Sequence, residues 1–261
     1  MSFLEIRGLS LALGGRTVLD GISFSLERGR LLAIIGPNGA GKSSLLKCLG
    51  RLYTSFSGEV LLEGSRLDGT PQKEIARRIA WVHQEGLDSL PYTVREFAEM
   101  SRYPWRSAFG GMSARDREYV EEALALTGAD AFAERCLKSL SGGERQNALI
   151  AAALAQGTDI LFLDEPTSFL DYRHQAETLK LIERINKEHS MTIALVTHDV
   201  NLALRIADEI LALKNGLVAW SGPRQGFIES GLMSGVFDTE FVCFKAKKDG
   251  MPYVAPRVFV E

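Results

Sequence analysis

The run Gly36-Pro37-Asn38-Gly39-Ala40-Gly41-Lys42-Ser43 fits the spacing G-x-x-x-x-G-K-[ST] in full. Glycines at those places let the backbone curl until successive N–H groups point inward at anionic oxygens, beside the positive end of the following helix. In such a loop Lys42 reaches the β- and γ-phosphates of a nucleoside triphosphate, and the Ser43 hydroxyl binds Mg²⁺. Ser44, next along the helix, belongs to the same nucleotide-binding set. A second pattern lies further on, where the apolar run Ile160-Leu161-Phe162-Leu163 ends in Asp164-Glu165. A buried strand of that kind delivers Asp164 to the magnesium and lets Glu165 orient and deprotonate the attacking water. Together the two patterns predict nucleotide hydrolysis.

Between them stands Leu140-Ser141-Gly142-Gly143-Glu144. Alone it reads as a helix N-cap, with Ser141 ahead of a long helix whose first N–H groups can face an anion. Flanked by the two nucleotide patterns, it matches a signature loop, and the sequence resembles the ATP-binding-cassette (ABC) family. That resemblance implies ATP and Mg²⁺ as cofactors and a head-to-tail homodimer. In it, Ser141 and Gly143, with Gly142 between them, cap the γ-phosphate held by the other protomer. Smaller elements follow in the family's order. Gln84 resembles the glutamine that touches Mg²⁺ and senses a transmembrane partner. Ser168-Phe169-Leu170-Asp171 resembles the loop where protomers meet, and His198 the histidine that contacts the γ-phosphate.

The chain also departs from that pattern. Many family members stack an aromatic residue on adenine just before the position of Gly14-Gly15, where this chain has Leu13. Leu13 either lies against the base without π-stacking or is plain core. Asn147 and Ala152 stand where arginines are frequent, so the local ion pairing is altered.

The elements that must position these residues can be read from periodicity and turn chemistry. Phe3 to Leu13 and Val18 to Leu26 read as strands around the Gly14-Gly15 turn. Leu31 to Ile35, Ile79 to Val82, Ile160 to Leu163 and Thr192 to Val196 read as buried strands, with Val60 to Leu62 a further short one. Helices are expected over Lys42 to Leu49 and His174 to Lys187. From Thr93 to about Ala155 the spacing is helical, interrupted near Gly110-Gly111 and Ser139 to Gly143. The expected fold is an α/β P-loop NTPase with a RecA-like parallel-sheet core, an N-terminal antiparallel β subdomain and an inserted helical signature subdomain. Residues 1–222 would form the ATPase domain, with the helical part at about 86–155. Residues 223–261 would form an extension with a helix at Gly226 to Phe237 and a hairpin around Asp249-Gly250.

A net charge of −3 gives no basic excess of the kind nucleic-acid binding leaves, so no nucleic-acid partner is expected. No apolar run reaches the roughly 18 residues of a membrane span, and no leader is expected. Cys48, Cys136 and Cys243 form no Cys-x-x-Cys pair, which fits a reducing cytoplasm. Any membrane contact would then run through separate permease subunits, on the inner face of the cell membrane. Segments such as Ser101-Arg102-Tyr103-Pro104-Trp105 resemble importers of iron chelates, heme and cobalamin, while molybdate-type relatives share the architecture. The permease would dock on about 85–105, where Tyr92, Phe97, Tyr103 and Trp105 are mixed with Arg95 and Arg102. An ABC ATPase of iron–sulfur assembly or DNA repair is the alternative. DNA-directed forms usually insert long coiled coils, whereas only roughly a hundred residues without sustained heptads separate Ser43 from Ser141.

Overall fold

The computed structural model describes residues 2–83, 90–107, 110–245 and 252–257. Its contacts divide the chain into two units, Met1–Gly69 with Thr192–Glu261, and Thr70–Met191. The first unit begins with β1 (Leu4–Leu13), β2 (Arg16–Leu26), β3 (Leu31–Ile35), α1 (Lys42–Leu49), β4 (Phe56–Leu62) and β5 (Ser65–Arg66). The second holds α2 (Gln72–Ile75), β6 (Ile79–Val82), α3 (Val94–Met100), α4 (Ala114–Thr127), α5 (Gly142–Ala155), β7 (Ile160–Asp164) and α6 (Tyr172–His189). The chain returns to the first unit through β8 (Thr192–Val196), α7 (Val200–Ile206), β9 (Glu209–Lys214) and β10 (Leu217–Pro223). It ends with α8 (Arg224–Glu229), α9 (Met233–Phe237), β11 (Phe241–Lys245) and β12 (Pro252–Pro256).

In the first unit, Gly14 and Gly15 take φ of 56° and 76°. Two successive left-handed residues close the tight hairpin of β1 and β2 with Leu13 opposite Arg16. β4 pairs on the other side of β1, giving the antiparallel order β2-β1-β4-β5. β3 is flanked by parallel β8 and β9, and β10 pairs antiparallel to β9. All five residues of β3 and all five of β8 are buried. Covered on both faces, such strands read as unbroken apolar runs rather than alternating ones.

The tail belongs to this unit. The expected single helix from Gly226 to Phe237 is instead two, broken at Gly231, whose φ of 69° ends α8 and re-aims the chain. β11 pairs antiparallel with β12, while Asp249-Gly250 lies outside the described residues. Asn201 on α7 grips β12 twice: its amide nitrogen donates to the Val254 carbonyl at 3.0 Å and its oxygen accepts from the Val254 N–H at 2.8 Å.

In the second unit β6 and β7 pair in parallel, and α3, α4 and α5 share a core of Val94, Ala98, Val120, Leu124, Ala148, Ala151 and Ala155. The alanines of α5 recur at helical spacing and let α4 approach closely. Each of the three helices starts on a reciprocal capping box: Thr93 with Glu96, Ser113 with Asp116, and Ser141 with Glu144. Each box satisfies orphan N–H groups of the first turn and fixes where its helix begins. The helical stretch has more breaks than its periodicity predicts, at the 3₁₀ turn Tyr103–Trp105 and at Gly128, which ends α4 with φ of 70°.

Arg102 corrects the expected docking surface. It is 3% exposed, not a surface charge. Its Nε donates to Asp116 at 2.9 Å, and its Nη1 donates to the carbonyls of Ala155 and Gln156, each at 2.9 Å. Tyr92 and Phe97 likewise pack on the helical core, leaving Tyr103 and Trp105 exposed. Burial alone would push the Asp116 carboxyl up. Hydrogen bonds from the Ser113 hydroxyl and N–H and from Arg102 outweigh it, holding the group at about 2 rather than the usual 3.8.

Arg102→Ala should therefore destabilise the chain by about 3–5 kcal/mol, the usual cost of stranding a buried charge. Urea denaturation measures this, and a loss under about 1 kcal/mol would contradict the buried-pair account. Because the folded pKa of Asp116 is depressed, its contribution is full above pH 4 and is lost as pH falls toward 2.

Candidate active site

The phosphate loop leaves the C-terminal end of β3 and opens α1. Gly36, Gly39 and Gly41 have φ of 149°, 80° and 97°. At two of these glycines, space as well as φ excludes a side chain. A Cβ on Gly36 would stand 2.2 Å from the Leu213 carbonyl oxygen, and one on Gly41 would stand 2.6 Å from Leu19 Cδ2. Gly41 is the N-cap of α1 and makes no side-chain cap hydrogen bond. Lys42 is buried, and its Nζ donates to the carbonyls of Gly36 at 2.9 Å and Pro37 at 3.0 Å. A cation is thus drawn across a loop curled for an anion.

His198 is held at the same end of the sheet. Ile34 of β3 is in register with Val196 of β8, and the Thr197 N–H donates to the Ile34 carbonyl at 3.1 Å. Asp199 then caps α7, accepting from the Leu202 N–H at 3.1 Å. His198 is exposed between these two anchored neighbours. Leu13 is 39% exposed at the end of β1, so it is not core. Ser43 and Ser44 lie on the first turn of α1.

The second unit carries the other predicted residues. Asp164 ends β7 half-buried, and Glu165 follows with a left-handed φ of 52°. A non-glycine residue in that region holds strain that its surroundings must over-determine. The Ser168 hydroxyl donates to Glu165 Oε2 at 2.9 Å, and the Ser168 N–H donates to the Glu165 carbonyl at 3.1 Å. Ser141 caps α5, its N–H donating to Glu144 Oε2 at 2.8 Å. That hydrogen bond, together with Arg135 beside it, holds the Glu144 carboxyl below its ordinary range. Asp171 caps α6, accepting from the His174 N–H at 2.9 Å, and this bond leads the causes that lower its pKa. Gln84 lies outside the described residues. Sequence reading missed Ser168 as the partner of Glu165, and it missed His174. A histidine three residues after a capping aspartate was the available signal for the latter.

A family model described as ABC transporter matches residues 19–168, more than half of the chain. The chain belongs to the ABC transporter family. It is 39% identical over 244 residues to the iron(3+)-hydroxamate import ATP-binding protein FhuC of Bacillus subtilis, covering 93% of this chain and 91% of that one. Its structure is similar to a chain of an inward-facing metal-chelate-type ABC transporter, with TM-score 0.86, 26% identity and 98% of each chain covered. It is also similar to the dimeric cassette MJ0796 in a post-hydrolysis state with ADP and Pi. There the TM-score is 0.72 and the identity 28%, over 85% of this chain and 98% of that one. The ABC ATPase fold, a P-loop NTPase with an antiparallel sheet subdomain and helical insertions, is thus the fold of this chain. As an ABC ATPase it binds and hydrolyses ATP. Cassettes of the family form dimers and work with permease components. Of the two departures on α5, Ala152 is buried, so packing stands where an arginine would carry charge.

Gly36→Ala should lose ATP binding by at least about tenfold and destabilise the chain by about 1–3 kcal/mol, because the added methyl meets a backbone oxygen. Titration calorimetry together with thermal melting reads both effects. Unchanged affinity would mean that the curl at Gly36 is dispensable.

Proposed function

We propose that this ABC ATPase powers an importer of an iron chelate, its transport pathway lying in separate permease subunits. The observation that carries the cargo class is the match to the hydroxamate-import subunit across 93% of the chain. Among the described residues no helix is long and apolar enough to cross a membrane. The proposed membrane contact runs through the permease, on the inner face of the cell membrane. Residues 1–222 are assigned to the ATPase domain and 223–261 to its extension.

The described site residues take roles that suit their surroundings, and Gln84 takes the role its resemblance implies. Gly36 to Ser43, with Ser44, wrap the phosphates, and Lys42 neutralises the β- and γ-oxygens. Ser43, Asp164 and Gln84 supply hard oxygen donors of the kind Mg²⁺ takes. Among the described residues no group of three or more His, Cys, Asp or Glu could form an all-protein cage. That suits a cation shared between a few side chains and the nucleotide's own phosphates. When bound, Mg²⁺ neutralises phosphate charge. Glu165 takes a proton from the attacking water, with Ser168 fixing its carboxylate, and His198 contacts the γ-phosphate. Leu13 lies against the adenine as an apolar platform.

Ser141, Gly142 and Gly143 serve the nucleotide of a second copy, and Asp171 sits at that contact. Phe169 and Tyr172, beside Asp171, are 97% and 91% exposed, and a homodimer would cover them. Aromatic residues left this open, one on the loop and one at the start of α6, are typical anchors of an interface.

Glu165→Gln separates binding from chemistry. The variant should bind ATP with near-native affinity and dimerise, while kcat falls by roughly 10² to 10⁴, the usual worth of a general base. Near-native turnover would refute the base assignment. For the cargo, cells lacking the chain should lose uptake of iron presented as ferric hydroxamates. Undiminished uptake of every ferric chelate would refute the importer reading.

A further inference from the structure

His174 joins two segments to which the roles above give separate tasks. Its backbone N–H and its ring Nδ1 both address the Asp171 carboxylate, with Nδ1 2.9 Å from each oxygen. A carboxylate only accepts, so Nδ1 carries the proton and the ring plane is set by a bifurcated bond. The far edge of the same ring lies on Gly143. A Cβ built there would be 2.1 Å from Cδ2, 2.6 Å from Cγ and 2.8 Å from Nε2. Only a glycine permits that approach. Beside it, a Cβ built on Gly142 would stand 3.5 Å from Leu170 Cδ2, at ordinary van der Waals distance.

The loop on the Asp171 side is itself tied down. The Gln175 amide donates to the Leu170 carbonyl at 3.0 Å and to the Thr167 carbonyl at 3.4 Å, and Ser168 holds Glu165 at 2.9 Å. Glu165 is thus tied to Ser168, Gln175 on α6 holds Thr167, Leu170 and the Asp171 carbonyl, and Asp171 holds His174, whose ring lies on the first turn of α5. We propose that His174 is a positioning residue that locks the turn Ser141–Gly143 to the Asp171 loop, fixing the aim of the α5 N-terminus during hydrolysis. The proposal rests on the reading that this turn serves ATP, since it assigns no contact with nucleotide to His174 itself.

The test uses full-length wild type and three variants, His174→Ala, His174→Asn and His174→Phe. ADP affinity, kcat and melting temperature are measured for each. ADP binding reports the phosphate loop, which belongs to the first unit. His174→Ala should lower kcat by roughly 10- to 100-fold, the usual cost of misplacing a catalytic group by about an ångström. ADP affinity should stay within about twofold. His174→Asn places an amide N–H where Nδ1 stands and should recover a substantial part of the lost kcat. His174→Phe keeps a ring over Gly143 but cannot donate, and should not recover as far. The proposal is overturned if His174→Ala turns over normally, or if Asn is no better than Ala. It is also overturned if melting temperature and ADP affinity collapse together with kcat. An inactive wild type would instead sink the ATPase reading, so the two failures are distinguishable.

Discussion

A backbone oxygen of β9 stands where the side chain of residue 36 would be, and this close approach governs the first unit. Because the Leu213 carbonyl lies 2.2 Å from the place of a Cβ, β9 can pack against the start of the loop only if the residue is glycine. β3 is thereby held between β8 and β9, with its exit fixed in space, and the loop must turn immediately into α1. The phosphate cradle is thus a consequence of how the parallel strands end. The same register puts Val196 beside Ile34 and carries His198 to the same end of the sheet. In open α/β sheets this carboxyl end is where ligands bind.

The second unit solves a different problem, that of giving short helices definite starts. Capping boxes at Thr93, Ser113 and Ser141 set all three. At Ser113 the box is also the anchor of the buried ion pair, since Asp116 serves both the cap and Arg102. Ser141 is the case with functional weight: one serine ends the preceding turn, starts α5 and leaves the two glycines on its first turn. The helix N-terminus adds its own partial positive charge there, and the Glu144 carboxylate on the same turn is paired with Arg135.

Much of this was legible in the sequence, for identifiable reasons. β3, β6, β8 and α1 match their expected bounds because buried strands give unbroken apolar runs and the glycine loop marks where the helix begins. The glycine spacing of the phosphate loop is similarly legible, since left-handed backbone selects glycine. Arg102 reads in sequence as a surface charge and is buried. Its buried partner is fourteen residues away on α4, and nothing in local charge pattern distinguishes a buried arginine from a solvated one. The tail helix is shorter than its sequence pattern implies because Gly231, in left-handed backbone, separates α8 from α9. His174 went unnoticed because its significance lies in a contact with Gly143, thirty-one residues earlier.

Each ATP is proposed to be enclosed by the phosphate loop of one chain and the Ser141 turn of another. Mixing two inactive variants, Lys42→Ala and Ser141→Arg, tests it most directly. Each homodimer then has two broken sites. In the mixed dimer both lesions fall on one composite site and the other is intact. Losing one preorganised donor costs roughly 10² to 10³ in rate, so restored turnover should stand well clear of background. Measurable ATPase activity is expected in the mixture and little in either variant alone. Normal turnover by Ser141→Arg, or a mixture and a linked tandem with one wild-type composite site that both stay inactive although heterodimers form, would contradict it.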